Sequence, residues 1–337
     1  MKRRSFLTGT AAALFTLRSA RLFAASQPAK RLIFGSPSGA VGGKLASGVL
    51  DIINKHFNDD YTLQVIDTRN TLQATETVKA ALPDGNTLLQ VQSGAMTLFP
   101  STYRGLKYDP VADFVPLAIM AEYAFTLTLG PAVPATVTNV DTYLAWVNQN
   151  PDYRDLGFAL YGSQSHLMAL MLAREKEVAL RPQSYKTADA MLQDLQKQNL
   201  AACITIGGNT LGMGPGVRTV GISSPTRLES WPQVATFAEQ GLSQLTMQGW
   251  YGWFAPAGMP AAAAQALRDQ IVAAQKTPEF AALEQRLLVT SVLASPAQIR
   301  ERMSLETTEL HSLVKSYGLT QMEAASRPLP DRFATMV

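Results

Sequence analysis

Residues 31–57 read RLIFGSPSGAVGGKLASGVLDIINKHF. The stretch opens with a short apolar run, passes through a loop with four glycines and two serines, and continues as an amphipathic segment. Leu45, Val49, Ile52, Ile53 and Phe57 fall on one helical face, so the pattern is strand, glycine loop, helix. Proteins use that arrangement for anion sites, phosphate loops and serine-nucleophile elbows, and the spacing separates them. A Walker loop needs G-x-x-x-x-G-K-[S/T]. Here Gly39 to Gly43 lead into Lys44 and Leu45, with the wrong glycine spacing and no hydroxyl. Gly39, Gly42 and Gly43 do not form G-x-G-x-x-G. In GSPSG, Pro37 stands where a G-x-S-x-G elbow has its serine. What remains is a helix start with free backbone N–H groups and a favourable dipole, suited to a carboxylate. The alternative, a tight turn that needs glycine and binds nothing, stays open on this loop alone.

Downstream, short apolar runs alternate with helical patterns. LQVID, TLLQVQS, LGFALYGS, AACITIGG and VRTVGIS read as strands. LQATETVKAAL, VDTYLAWVNQ, HLMALMLAREKE, ADAMLQDLQKQ, AAAAQALRDQIVAAQ and SPAQIRERMSLETTELHSLVKSYG read as helices, the last with its leading serine as N-cap. Such alternation predicts an α/β fold with a mostly parallel sheet. FTLTLGPAVP reads as a strand leaving the first unit, and the long C-terminal helices as a return to it. Two lobes result, residues 26–124 with 248–337 and residues 125–247, with a ligand cleft between them.

The chain has 337 residues, 47% hydrophobic and 16% charged, the composition of a globular protein with a sizeable core. Its formal charge of +3 is carried by the N-terminus. Residues 1–25 hold five basic residues and no acidic one. Without them, 29 Lys and Arg fall to 24 against 26 Asp and Glu, a net of −2. The basic start, the apolar run GTAAALFTL and the small residues near Ala24 have the layout of an export signal, cleaved between about Ala24 and Ala29. Arg3 and Arg4 before Ser-Phe-Leu resemble a twin-arginine signal, although a Sec signal also starts basic. The expected location is the periplasm. The mature charge leaves no basic patch for nucleic acid. Cys203 lies among apolar residues and reads as a buried small side chain. His56, His166 and His311 are scattered, so neither a metal site nor a cofactor is expected.

A second loop repeats the first design: LGFALYGS ends in Gly162, Ser163, Gln164 and Ser165, and a helix starts near His166. A ligand-donating His166 competes with one that caps its own helix. A third strand ends in Ser93 and Gly94, where an ordinary strand end is the alternative.

These segments together carry a resemblance. FGSPSGAVGG (34–43), PDGNTLLQ (83–90), LKYDPVADFVPLA (106–118), GSQSHL (162–167), WPQVATFAEQGL (231–242) and WYGWFAPAGMP (250–260) resemble, in order, signatures of the Bug-type extracytoplasmic solute-binding proteins of tripartite tricarboxylate transporters. The resemblance runs from about residue 30 to 320. It implies a two-lobed, type II periplasmic-binding-protein fold that closes on a small carboxylate, held largely by backbone amides and water. The partner would be a set of membrane transporter subunits or a membrane sensor. The protein is expected to be non-catalytic and a monomer. The expected contacts are Ser36, Ser38, Gly39, Ala40, Val41 and Gly42 on the first carboxylate. Gly162, Ser163, Gln164 and His166 form the opposing clamp, with Ser93, Gly94, Tyr185 and Thr205 lining the cleft. The sequence departs from the family pattern at Gly43, Ser47, Leu170, Ala201 and Thr205, where acidic or basic residues are usual, and at Thr187, where glycine is usual. Loss of the acidic ones argues against an amino-acid ligand. Two rivals are an exported hydrolase using Ser163 and His166, and a structural protein with a vestigial cleft.

Overall fold

A computed structural model describes residues 29–36, 39–68, 71–175 and 179–324. The export-signal region and Ser38 lie outside the described residues. In the first part of the chain, β1 (Arg31–Phe34), α1 (Val41–Phe57), β2 (Thr62–Val65), α2 (Leu72–Lys79) and β3 (Thr87–Gln92) alternate strand and helix. Two short helices, α3 (Ser93–Thr97) and α4 (Phe99–Thr102), then lead into β4 (Tyr103–Arg104). The long β5 (Phe114–Leu129) follows, then α5 (Val140–Gln149), β6 (Asp155–Ala159), α6 (Gln164–Glu175), β7 (Arg181–Tyr185), α7 (Ala188–Gln196), β8 (Ala202–Ile206) and β9 (Arg218–Ile222). The chain returns through β10 (Gln248–Pro256) and ends in α8 (Ala261–Gln275), α9 (Pro278–Leu287), β11 (Val289–Thr290), α10 (Pro296–Ser316) and β12 (Met322–Glu323).

The main sheet runs β2-β1-β3-β10-β5-β8-β6-β7, and β9 and β11 also pair with β5. The β1–β2, β1–β3, β6–β7 and β6–β8 pairs are parallel, as crossover helices require. The expectation of a mostly parallel sheet needs correction at its centre. There β10 runs antiparallel to β3 and β5, and β5 antiparallel to β8 and β9. The cause is the length of β5. Its first part, Phe114–Ala124, pairs with β10, and its second, Phe125–Leu129, pairs with β8. One strand thus spans both halves of an α/β molecule, and β10 brings the chain back beside it.

Burial explains why β5 and β10 stand at the centre. Nearly every residue of both is buried, so the strands carry no polar-apolar alternation. Within β5, Thr126 and Thr128 are buried and satisfy each other, and Thr128 reaches Thr219 of β9 at 3.0 Å. On the outside, α1 buries Leu45, Val49, Ile52 and Ile53 as its periodicity requires. Helix α10 starts at the capping box of Ser295 and Gln298. It docks on the central strands through Arg302, which pairs with Glu122 of β5 and with Glu306, while Trp250 Nε1 of β10 donates to Glu306 at 3.0 Å.

Candidate functional site

The first turn after β1 sets one side of the site. Ala40 is the N-cap of α1 at φ −71°, ψ 163°, and its methyl group caps nothing. The backbone N–H of Val41 instead donates to Asn209 Oδ1, 3.3 Å away, at the end of β8. Ser36 and Ala40 line a cavity of about 200 Å³ that lies between the two halves of the sheet. Gly39 is exposed with open space around its Cα. Val41 and Gly42 lie behind the rim, buried in the first turn of the helix. Gly42 is not in the left-handed region. A Cβ there would stand 2.5 Å from both the Phe34 and Tyr251 rings. Its missing side chain makes room for aromatic packing rather than for a ligand, and its carbonyl accepts from Gln90 Nε2 at 2.7 Å.

The opposite side is the β6–α6 turn. Leu160 and Gly162 both take positive φ, 67° and 74°, which folds the turn tightly enough to present Ser163, Gln164 and Ser165 to the cavity. Gly162 itself faces away, with Met322 2.5 Å from where a Cβ would stand. Ser163 Oγ donates to the Ala159 carbonyl at 2.9 Å and accepts the His166 backbone N–H at 3.3 Å, so it caps α6. The imidazole of His166 is stacked on Phe158 at 4.3 Å, and its Nδ1 accepts the Gly162 N–H at 3.2 Å. Burial lowers its pKa to about 4, so the ring is neutral and a weak base. Of the two roles foreseen for His166, the geometry matches bracing its own turn. No hydrogen bond joins the Ser163 hydroxyl to the ring among the described residues.

The third turn joins these two. Gly94 lines the cavity, and Ser93 Oγ donates to Gln164 Oε1 at 3.1 Å while accepting the Trp250 N–H at 3.3 Å. Thr205 also lines it and accepts from Asn209 Nδ2 at 3.3 Å. Tyr185 does not: its hydroxyl donates to Asp194 Oδ2 at 3.1 Å, and the ring packs on the apolar cluster beneath α7. Its neighbours Lys186 and Thr187 reach the cavity instead.

Several lining residues were not foreseen. Tyr123 and Phe125 of β5 and Tyr251 of β10 form an aromatic wall. Thr71 lines the cavity at the N-cap of α2, in the left-handed region at φ 68°, unusual for a β-branched residue. Its buried hydroxyl has no hydrogen-bond partner among the described residues. The charged lining residues, Asp67, Lys186 and Asp189, are all exposed at the mouth. Among the described residues no group of three or more His, Cys, Asp or Glu could hold a metal ion.

Two halves of an α/β sheet facing each other across a cavity is the architecture of periplasmic binding proteins, and similarity to solved structures supports the same fold. The structure of the periplasmic binding protein BugD superposes with a TM-score of 0.79 over 87% of this chain and 98% of that one, at 20% identity. An R. palustris protein solved with adipate gives 0.82 over 87% and 98%, also at 20% identity. A Pseudomonas sp. (strain P51) protein, described as the UPF0065 protein in the tcbD-tcbE intergenic region, is 26% identical over 94% of this chain and 95% of its own. Residues 65–319 match the tripartite tricarboxylate transporter family receptor, TctC, and the chain belongs to that family. Among the described residues no helix is long and apolar enough to cross a membrane.

Proposed function

We propose that this protein is an exported receptor that captures a small organic carboxylate in the cavity between its lobes and presents it to a membrane transporter or sensor. The observation that carries the reading is the cavity itself. Strand-to-helix turns from both halves of the sheet meet there, and every charged lining residue is exposed at the mouth. An interior built from backbone amides, hydroxyls and the carboxamides of Gln92, Gln164 and Asn209 can solvate one carboxylate without a countercharge. The adipate held by the R. palustris neighbour supports that ligand class.

In this reading lobe 1 comprises residues 26–124 and 248–337 and lobe 2 residues 125–247, the crossing falling where β5 changes partner. Ser36, Ser38, Gly39 and Ala40 contact the carboxylate from lobe 1, with the amide of Gly42 and that of Val41, which exchanges Asn209 Oδ1 for a ligand oxygen. Ser93 and Gly94 hold the floor. Ser163 and Gln164 close from lobe 2, positioned by Gly162 and His166, with Thr205 beside them and Tyr185 supporting the strand before Lys186. The protein acts as a monomer, without catalysis, metal or cofactor, in the periplasm after removal of its export signal.

The test is calorimetry on the mature protein with mono-, di- and tricarboxylates, with and without a chelator. Metal-independent binding of at least one of them is expected. Absence of binding across the panel, or hydrolysis of ester substrates, would overturn the reading. N-terminal sequencing of the periplasmic fraction checks export, since an intact Met1 there is incompatible with it.

A further inference from the structure

We infer that the ligand is a monocarboxylate with a flat apolar body, of the arenecarboxylate class, rather than a di- or tricarboxylate. This rests on the reading above that the cavity takes a carboxylate, and it follows from the walls, the charge and the size of that cavity.

One wall of the cavity, packed against the first amide turn at Gly42, is aromatic and fixed. The Tyr123 and Tyr251 ring centroids lie 4.8 Å apart with the planes inclined at 46°, and Phe125 meets Tyr123 edge-on at 5.5 Å. All three side chains are buried. Two glycines allow the rings to stand where they do. A Cβ at Gly249 would lie 2.3 Å from the Tyr123 ring, and one at Gly42 would lie 2.5 Å from the Tyr251 ring. Rings held this tightly cannot turn aside for a ligand, and the Tyr251 hydroxyl already accepts from Gln92 Nε2, 3.5 Å away. Each of the three turns a small patch of ring, 1–4% of its surface, to the cavity, a contact that an aromatic ligand can complete. Ile204 and Ile206 of β8 continue the apolar surface.

The charge argues the same way. One lysine, Lys186, and two aspartates, Asp67 and Asp189, are the charged lining residues, and all three are exposed at the mouth. The set carries a net of −1. One carboxylate can be met by the neutral donors at the turns. A second or third would find only the remaining neutral donors, such as Thr71 and Gln92, and no countercharge in the interior, or would sit at a mouth already negative overall. Size sets the upper limit. A dry cavity of about 150 Å³ takes benzene, so about 200 Å³ leaves room for a ring and one carboxylate.

The experiment is titration calorimetry on the mature full chain with benzoate and phenylacetate, set against adipate, malate and citrate, with benzamide as the uncharged control. At least one arenecarboxylate should bind about tenfold or more tighter than each polycarboxylate, a difference of ~1.4 kcal/mol. Phe125→Leu keeps apolar volume but removes a ring, and should weaken benzoate about three- to tenfold. Proton NMR of bound benzoate gives a reading that does not depend on the variant folding, because its ring protons should shift upfield beside the wall. A polycarboxylate binding tightest would overturn this inference and leave the carboxylate receptor standing. Unshifted ring protons, or unchanged affinity in folded Phe125→Leu, would also overturn it. Benzamide binding as tightly as benzoate, or no carboxylate binding at all, would remove the receptor reading as well.

Discussion

Ser93 Oγ donates to Gln164 Oε1 at 3.1 Å, tying the turn after β3 to the turn after β6 across the floor of the cavity. The same hydroxyl accepts the Trp250 N–H, so one side chain joins β10, α3 and α6. Ser93→Ala would leave a buried carboxamide oxygen and a buried amide without partners. The expected cost is about 1–3 kcal/mol in stability, with weaker carboxylate binding because Gln164 loses its brace. Melting temperature and calorimetric affinity check both. An unchanged melting temperature would mean that the bond does not join the turns.

Gly42 tests why the first loop needs glycine. A methyl group there meets the Phe34 and Tyr251 rings at 2.5 Å, and both rings are buried. Gly42→Ala should therefore destabilise the fold by about 1–3 kcal/mol, the usual cost of overpacking. Gly39→Ala, at a position with nothing within 4 Å, should melt as the parent does. Equal melting of all three proteins would contradict this packing role.

His166 predicts a pH dependence. Its folded pKa of about 4 lies below its ordinary value of 6.5, so the unfolded chain takes up the proton first as pH falls. The stability that the neutral ring contributes is complete above pH 6.5 and is lost progressively between 6.5 and about 4. Melting temperature measured across that window should fall, and His166→Gln should flatten this part of the curve. A variant with the same slope as the parent would show that another group sets it.

Thr71 predicts a gain rather than a loss. Its buried hydroxyl has no partner among the described residues, and Val has nearly the same shape. Thr71→Val should raise the melting temperature of the unliganded protein, up to the equivalent of about 1 kcal/mol. A lower value would show that the hydroxyl is satisfied in solution.

Much of the scaffold was legible because local pattern decided it. The helices VDTYLAWVNQ and AAAAQALRDQIVAAQ occupy their expected residues, and Ser295 caps α10 as its position implied. Other elements left no periodic trace. Strand β10 and the first half of β5 are buried on both faces, so GWYGWFAP and FVPLAIMAEYA lack alternation. The edge strand β7, RPQSY, is largely exposed and reads as loop, and α9 went unseen. The site divides in the same way. Its amide turns are contiguous strand-glycine-helix segments, visible in one dimension. The aromatic wall is not, because Tyr123 and Tyr251 are far apart in sequence and meet only when β10 returns beside β5. Asn209 escaped notice for the same reason, since its partner Val41 lies in the other half of the sheet.

The central claim is that a carboxylate sits between the first turn of α1 and the Ser163–Ser165 turn. The most direct measurement is a crystal structure of the mature protein with the tightest-binding carboxylate from the calorimetric panel. The account predicts carboxylate oxygens within hydrogen-bonding distance of the Ala40–Gly42 segment on one side and of Ser163 or Gln164 on the other. A carboxylate turned outward to Lys186, or density for the ligand elsewhere on the molecule, would contradict it.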